Sequence, residues 1–221
     1  IRDDLEVVKR NSERLLDLVN QILDFTKAEQ EAFSSQNTWF DIDDLVEKTV
    51  QRFTPAAQQK GIQLSHDTPQ PIRICTDREA LTKVLSNLLT NAMKFTKDRI
   101  LVSLTENPEA HTVTISVEDN GTGIKPTEKE KIFNLFYQSA NKPQLPNKGF
   151  GIGLAIVSLL VKRMMGKIEV ESEENRFTRF RITLPQDEQN DLSISVTSPD
   201  KTAALREVKT EDPIDLPEQK K

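Results

Sequence analysis

The segment Asn87–Thr96 reads NLLTNAMKFT and carries the most specific pattern of the chain. Asn87, Asn91 and Lys94 follow one another at intervals of four and three residues, which places them on one face of a predicted helix. The opposite, apolar face comprises Leu85, Leu88, Leu89 and Ala92. Asparagine is a mediocre helix former, so two of them on one stripe need a reason. A carboxamide oxygen can ligate Mg²⁺ and the lysine can neutralise phosphates, whereas the alternative is a solvated polar face.

Two short runs hold five of the seven glycines of the chain, DNGTG at Asp119–Gly123 and GFGIG at Gly149–Gly153. The second run leads into a predicted apolar helix, whose first N–H groups and positive dipole end can hold phosphate oxygens. Leu154 stands where a dinucleotide fingerprint needs its third glycine, and no segment matches a P-loop or a protein-kinase catalytic loop. These three classes of nucleotide-binding protein are therefore excluded.

The length of 221 residues allows one substantial domain with appendages or two small domains. Because 29% of the residues are charged and only 36% are hydrophobic, part of the chain is expected to be solvated. The net charge of -5 gives no basic field, so we expect no nucleic-acid partner. A single cysteine, Cys75, excludes an internal disulfide, and two histidines leave no zinc set, so any metal must be held by oxygen. No apolar run approaches the ~18 residues of a membrane span, which predicts a soluble, non-secreted chain.

The hydrophobic periodicity predicts helices interleaved with strands. Helices are expected from Asp41 to Gly61, from Asp77 to Phe95, at 127–136 and at 151–165. Strands are expected at 39–40, 62–64, 72–74, 100–105, 112–118, 167–171 and 177–184. Antiparallel neighbours among these strands predict an α+β fold, a two-layer α/β sandwich with helices on one face of a mixed sheet.

The N-terminal segment has a heptad pattern over nearly four repeats. Its seam consists of Ile1, Leu5, Val8, Ser12, Leu15, Val19, Ile22 and Thr26. We favour a coiled-coil or bundle helix, with packing on its own domain as the alternative. The predicted division is a helix at 1–30, one domain at 31–186 and a flexible linker or tail at 187–221, where few large apolar residues occur.

Four motifs in this order resemble the catalytic ATP-binding domain of two-component sensor histidine kinases, within the group shared with gyrase, MutL and Hsp90 ATPase domains. They are Asn87–Thr96, Asp119–Gly123, Ile132–Tyr137 and Gly149–Leu154. The resemblance covers about 34–186 and implies the Bergerat-type ATP-binding fold. Residues 1–29 resemble the second helix of the dimerisation and histidine-phosphotransfer hairpin.

The resemblance implies ATP and Mg²⁺ as cofactors and assigns residue roles. The implied nucleotide-binding positions are Asp119, Gly121, Gly123, Ile124, Phe133, Phe136, Tyr137, Lys148, Gly149, Gly151, Gly153 and Leu154. Asp119 would accept a hydrogen bond from the adenine amine, and Gly121 and Gly123 would let the backbone pass the base closely. Asn91 would ligate Mg²⁺, with Asn87 and Lys94 as further catalytic residues facing the phosphates.

The same resemblance implies a mobile lid over 137–148. Phe133 and Phe136 would anchor its near end, and the glycines from Gly149 to Gly153 would hinge it. Asn87 stands where the ATP-hydrolysing relatives carry a glutamate as general base. Because a carboxamide cannot take a proton from water, hydrolysis is disfavoured, whereas a histidine nucleophile brings its own lone pair.

The chain departs from the kinase pattern in three places. No histidine lies in an acceptor context: His66 and His111 are expected at ordinary surface positions, which places the acceptor upstream of Ile1. Residues 173–180 replace a glycine-rich turn, and Leu135 stands where a basic residue is common. We therefore expect this fragment to bind nucleotide without phosphorylating itself.

The resemblance also implies partners and a cellular setting. It implies a homodimer through the N-terminal helix and a response-regulator receiver domain, separate or fused in a hybrid sensor, as phosphorelay partner. The chain would be the cytoplasmic portion of an inner-membrane sensor, with membrane contact only through parent segments outside this sequence. Two alternatives stay open: a nucleotide-sensing or dimerisation module without transfer activity, and a serine kinase of the anti-sigma type.

Overall fold

The computed structural model describes residues 2–30, 37–68, 71–139 and 149–186. The helices of these residues are α1 (Arg2–Gln30), α2 (Ile42–Gln59), α3 (Arg78–Phe95) and α4 (Gly153–Arg163). The strands are β1 (Asn37–Asp41), β2 (Gln63–Asp67), β3 (Arg73–Asp77), β4 (Arg99–Asn107), β5 (Thr112–Asp119), β6 (Lys167–Glu173) and β7 (Phe177–Pro185). Each predicted strand is therefore confirmed, with bounds that differ by a few residues.

Five of the strands form one mixed sheet in the order β2-β4-β5-β7-β6. β2 runs parallel to β4, and the remaining neighbours are antiparallel. β1 and β3 form a separate two-stranded antiparallel sheet, so β2 and β3, although neighbours in sequence, lie in different sheets. β5 and β7 alternate buried and partly exposed residues, as expected of strands with one face on the core.

The core lies between the large sheet and the helices α2, α3 and α4. Fully buried side chains from both layers meet there; they are Leu81, Leu85, Leu88 and Ile156 from the helices and Ile100, Ile115 and Ile182 from the sheet. Burying each such side chain stabilises the fold by about 1.5–3 kcal/mol. The predicted two-layer sandwich with helices on one face of a mixed sheet is confirmed.

α3 begins at a strong cap, as its sequence predicts. Asp77 Oδ1 accepts a hydrogen bond from the Ala80 N–H at 2.9 Å, and Asp77 Oδ2 accepts one from Arg163 Nη2 at 2.8 Å. Arg163 ends α4, so this carboxylate joins the start of α3 to the end of α4. Because both partners are largely buried, the pair helps to fix the two helices that flank the site.

One predicted helix is wrong. Residues 127–136 form two short 3-10 turns, Pro126–Glu128 and Lys131–Phe133, and neither turn contains a buried residue. Asn134 then turns extended, and Phe136 adopts a positive φ of 64°. Without a continuous apolar face to bury, this segment has little to stabilise a longer helix.

The N-terminal segment forms the helix α1, and its role as a coiled-coil or bundle helix stays a prediction. Leu18 and Phe25 pack against the core, beside α4. Other apolar residues of α1 are exposed; they are Leu5, Val8, Leu15, Leu16, Val19, Ile22 and Leu23. Most seam residues whose side chains the structure describes are thus exposed.

The tail at 187–221 and most of the implied lid, 140–148, lie outside the described residues, so the predicted division into three parts stays a prediction. Within the ranges that the structure describes, no helix combines the length and the apolar character needed to cross a membrane.

Candidate functional site

A cavity of about 210 Å³ opens between α3, the end of β5 and the start of α4. It brings together residues that lie far apart in the sequence. The predicted site residues on its wall are Asn87, Asn91, Lys94, Asp119, Ile124, Tyr137, Gly149, Gly151, Gly153 and Leu154. The two polar patterns and the second glycine run therefore belong to one site.

The polar face of α3 lies against the first turn of α4. Asn87 Nδ2 donates a hydrogen bond to the Lys83 carbonyl at 2.9 Å, which fixes the carboxamide. A Cβ at Gly153 would lie 2.8 Å from Asn87 Oδ1. Glycine at this position therefore lets the beginning of α4 approach the Asn87 side chain.

Lys94 lies one turn beyond Asn91, close to the second glycine run. A Cβ at Gly149 would lie 3.0 Å from Lys94 Nζ. Burial lowers the pKa of Lys94 from the ordinary lysine value, and the charge of Lys60 lowers it further. An ammonium held partly out of water is stabilised by an anion, so this position favours a phosphate group.

Asp119 ends β5 inside the cavity, with only 5% of its surface exposed. Its Oδ1 accepts a hydrogen bond from the Gly121 N–H at 2.9 Å. Apolar side chains of Phe95, Ile124 and Phe180 line the same cavity. Because an ionised carboxylate only accepts hydrogen bonds, Asp119 selects a ligand edge that carries donors.

The structure gives Gly121 and Gly123 a packing role. A Cβ at Gly121 would lie 2.0 Å from the Phe95 carbonyl oxygen, and one at Gly123 would lie 2.2 Å from the Glu173 carbonyl oxygen. Gly123 also has a positive φ of 67°. The space beside both glycines is filled by the backbone of the protein itself, and neither residue lines the cavity.

The residues before the implied lid contact the second glycine run. The Phe136 N–H donates to the Gly151 carbonyl at 3.0 Å, and a Cβ at Gly151 would lie 2.6 Å from the Tyr137 carbonyl oxygen. Gln138 Nε2 donates to the Gly149 carbonyl at 2.8 Å. These contacts fix the entry of the glycine run on one side of the cavity.

The aromatic side chains of this segment differ in position. Phe133 packs edge to face on Phe180, with ring centroids 6.4 Å apart, whereas Phe136 is 57% exposed and does not line the cavity. Partial desolvation raises the pKa of Tyr137, and a hydrogen bond to Glu128 adds to the shift. Lys148, also predicted to bind nucleotide, lies outside the described residues.

The start of α4 has the chemistry of an anion site. Ile152 occupies the N-cap position without a side-chain hydrogen bond to the first turn, and Gly153 and Leu154 line the cavity. The first N–H groups of a helix lack partners within the helix, and its dipole favours negative charge there. Phosphate oxygens match this end of the cavity.

Sequence reasoning missed some residues of the wall. Thr178 is buried and lies opposite Asp119 in the β5–β7 register, which only the strand order reveals. Gln21 reaches the cavity from α1, and Glu128 lies near Tyr137. Neither of the latter carries a sequence signal that separates it from an ordinary polar surface residue.

The layered sheet and this cavity suit a nucleotide-binding domain, and comparison with known proteins identifies its class. Residues 76–188 match the family described as histidine kinase-, DNA gyrase B- and HSP90-like ATPase. The chain belongs to this family.

Individual relatives identify the branch of the family. The chain is 36% identical over 211 residues to the sensor protein EvgS of Escherichia coli K12. This match covers 92% of the chain and 16% of EvgS. The crystal structure of full-length ShkA in complex with AMPPNP resembles this chain with a TM-score of 0.74 and 29% sequence identity. The match covers 84% of this chain and 38% of the ShkA chain. The catalytic domain of histidine kinase ThkA is 28% identical, with a TM-score of 0.60, over 68% of this chain and 96% of that domain.

These comparisons confirm the resemblance to sensor histidine kinases that the four motifs indicate. The chain spans about a sixth of EvgS and less than half of the ShkA chain, so it corresponds to one part of such longer proteins.

Proposed function

We propose that this chain is the catalytic region of a sensor histidine kinase, which transfers the γ-phosphoryl group of ATP to a histidine on a hairpin helix outside this sequence. The observation that carries the proposal is the meeting of the Asn87–Lys94 face with Asp119 and the start of α4 around one cavity. Base-selecting and phosphate-binding groups then act on a single ligand.

Each end of the cavity suits one end of ATP. The Asp119 carboxylate accepts a hydrogen bond from the adenine amine, between the apolar side chains of Ile124 and Phe180. The phosphates lie between Lys94 and the uncapped first turn of α4. The lowered pKa of Lys94 supports this placement, because its ammonium regains stabilisation when it pairs with phosphate.

Asn91 is the residue that we assign to Mg²⁺. The described residues contain no group of three or more histidine, cysteine or acidic side chains that could hold a metal. Mg²⁺ retains several waters and needs only one or two protein oxygens beside substrate phosphates, so the Asn91 carboxamide fits it. When bound, the ion offsets the charge of the phosphates.

The α3 face also favours transfer over hydrolysis. Asn87 lines the cavity, and its carboxamide has no site for a proton abstracted from water. A histidine imidazole needs no such base, because alignment and neutralisation of charge supply most of the acceleration of phosphoryl transfer.

The exposed seam of α1 supports a homodimer through this helix, paired with the acceptor helix of each copy. A receiver domain would accept the phosphoryl group from the histidine, either on a separate regulator or on the same chain. The parent would be a membrane sensor with this region in the cytoplasm.

The test supplies the missing acceptor. The chain is mixed with a purified hairpin of the parent protein that carries the acceptor histidine, together with Mg²⁺ and γ-labelled ATP. We expect acid-labile, alkali-stable phosphate on the hairpin and none on the chain alone. Asn91→Ala should reduce the transfer and its dependence on Mg²⁺, whereas Asn107→Ala, in the distant β4–β5 turn, should not.

Each other outcome identifies a different function. Tight ATP binding without transfer indicates the nucleotide-sensing module, and phosphoserine on a partner indicates the anti-sigma type of kinase. Acid-labile phosphate on the isolated chain contradicts the placement of the acceptor outside this sequence.

A further inference from the structure

Asn120, the residue after Asp119, has a side chain whose donor and acceptor are both used. Its Oδ1 accepts hydrogen bonds from the N–H groups of Asp98 and Arg99 at 3.3 and 3.1 Å, and Thr96 Oγ1 lies 3.0 Å away. Its Nδ2 donates to Asp98 Oδ1 at 2.7 Å. One carboxamide therefore spans the whole turn that joins α3 to β4.

Backbone contacts strengthen the same connection. The Asn120 N–H donates to the Arg99 carbonyl at 3.2 Å, and the Thr122 N–H donates to the Phe95 carbonyl at 3.2 Å. The missing side chain of Gly121 lets the loop touch Phe95 directly. The loop after β5 is thus held on the last turn of α3.

This connection joins the two halves of the cavity. α3 carries Asn87, Asn91 and Lys94, which face the phosphates, and the end of β5 carries Asp119, which faces the base. A ligand that touches both halves binds well only if their spacing matches its length. Asn120 does not line the cavity, so any effect of this residue on binding passes through its neighbours.

The side chain at this position must accept and donate at once. Asparagine does both, whereas aspartate keeps the acceptor and loses the donor. An aspartate here would place its carboxylate against that of Asp98, and like charges at this distance repel. Exchanging the two residues, so that aspartate stands at 120 and asparagine at 98, would keep one donor and one acceptor in this pair.

We propose that Asn120 is a positioning residue for the nucleotide, which sets the spacing between Asp119 and the Asn87–Lys94 face through its hydrogen bond with Asp98. The inference rests on the proposed function, since it concerns the same ligand. It adds a residue that touches neither base nor phosphate.

The experiment compares the wild type with four variants of the full chain by calorimetric titration with Mg-ATP. The variants are Asn120→Asp, Asp98→Asn, their combination and the control Asn107→Ala, each at a temperature where circular dichroism shows it to be folded. Asn120→Asp should raise the dissociation constant about tenfold, because it replaces a hydrogen bond with a repulsion. Asp98→Asn should leave it unchanged, because the new carboxamide oxygen still accepts from Asn120 Nδ2. The double exchange Asn120→Asp with Asp98→Asn should restore binding, because the same bond forms with donor and acceptor reversed.

Asn107→Ala is the matched control for a purely structural effect. Asn107 Oδ1 accepts from the Ala110 N–H at 3.1 Å in the turn at the other end of β4 and β5. This variant should lower the unfolding midpoint in urea without changing the affinity for ATP. If Asn120→Asp does not fold, Asn120→Ala replaces it, since it removes the acceptor without adding charge and should also weaken binding.

The outcomes separate this inference from the proposed function. A wild-type chain that does not bind Mg-ATP contradicts the proposed function itself. A wild-type chain that binds, together with a folded Asn120→Asp or Asn120→Ala variant of equal affinity, contradicts the positioning role alone. Failure of the double exchange to restore binding does the same.

Discussion

Asp77 and Asp119 are both buried carboxylates at strand ends, yet the structure gives them different duties. Asp77 caps α3 and pairs with Arg163, whereas Asp119 accepts from the Gly121 N–H and borders the cavity. The motif around Asp119 predicted its position in the site. The burial of Thr178 beside it could not be predicted, because the register between β5 and β7 depends on the whole sheet.

Asp119→Asn should raise the dissociation constant of ATP at least about tenfold, because the carboxylate loses a charge-assisted hydrogen bond to the base. The fold should persist, since the amide oxygen can still accept from the Gly121 N–H. Calorimetric titration measures the change. Glu118→Gln is the control, because Glu118 pairs with Arg179 and does not line the nucleotide cavity; equal affinities of wild type and Asp119→Asn would remove Asp119 from the site.

Lys94 should give the affinity for ATP an alkaline limit. Burial lowers its pKa below the ordinary 10.5, so the free protein loses this ammonium at a lower pH than an exposed lysine does. Since phosphate binds the charged form, affinity should be highest below that lowered pKa and fall as the pH rises through it. Titrations above about pH 8, where the phosphates are already ionised, measure the decline.

Lys94→Met is the variant that tests this assignment. It should bind ATP more weakly and show no decline in the same pH range, because no charge is left to lose. A decline that persists in Lys94→Met would assign the pH dependence to another group.

Among the helices and turns, the sequence correctly predicted features that depend on neighbouring residues, such as the cap of α3. Asp77 caps α3 as its position indicates, and the polar face of that helix points into the cavity. The helix predicted at 127–136 failed because its few apolar residues lack a continuous surface to pack on. The turn at 173–176 keeps its shape without glycine because Asn175, with a φ of 61°, tolerates the left-handed region.

Met165, just after the end of α4, adopts a backbone conformation that favours glycine. The Gly166 N–H donates to the Val161 carbonyl and the Met165 N–H to the Lys162 carbonyl, which is a Schellman motif. Met165 therefore has a φ of 56°, and its side chain is 82% exposed. A left-handed conformation costs a residue with a side chain about 1–2 kcal/mol.

Met165→Gly should raise the free energy of unfolding by about 1 kcal/mol, because it removes this strain while the side chain that is lost contributes little burial. Urea denaturation followed by circular dichroism measures the change. Met164→Gly is the matched control: Met164 is buried at an ordinary φ of -78°, so its loss should destabilise the chain. A lower stability of Met165→Gly would contradict the strain argument.

For the whole molecule, the sequence predicted the layers but not the strand order, and several of the site residues that it predicted line one cavity. β2 and β3 follow each other in the sequence, with only a short proline-containing link between them, yet they belong to different sheets. Local sequence patterns do not reveal this pairing. The heptad pattern of α1 predicted a face for a partner, and most of its apolar residues are exposed. The same helix touches the domain through Leu18 and Phe25, which the heptad pattern did not indicate.

Charges on the exposed seam should prevent self-association. Leu15→Lys combined with Ile22→Lys places ammonium groups at seam positions, so the chain should become monomeric while its affinity for ATP stays unchanged. Sedimentation velocity measures the mass. Asn20→Lys, at an exposed polar position of the same helix, should not alter it; an identical mass for wild type and the double variant would remove the seam from any dimer contact.

A crystal structure of the chain with Mg²⁺ and AMPPNP would reveal whether one cavity binds both ends of ATP. We expect the adenine amine within about 3 Å of the Asp119 carboxylate, Mg²⁺ about 2.1 Å from Asn91 Oδ1, and phosphates at the first turn of α4. A nucleotide bound elsewhere, or bound here with Asp119 and Asn91 both out of contact, would contradict it.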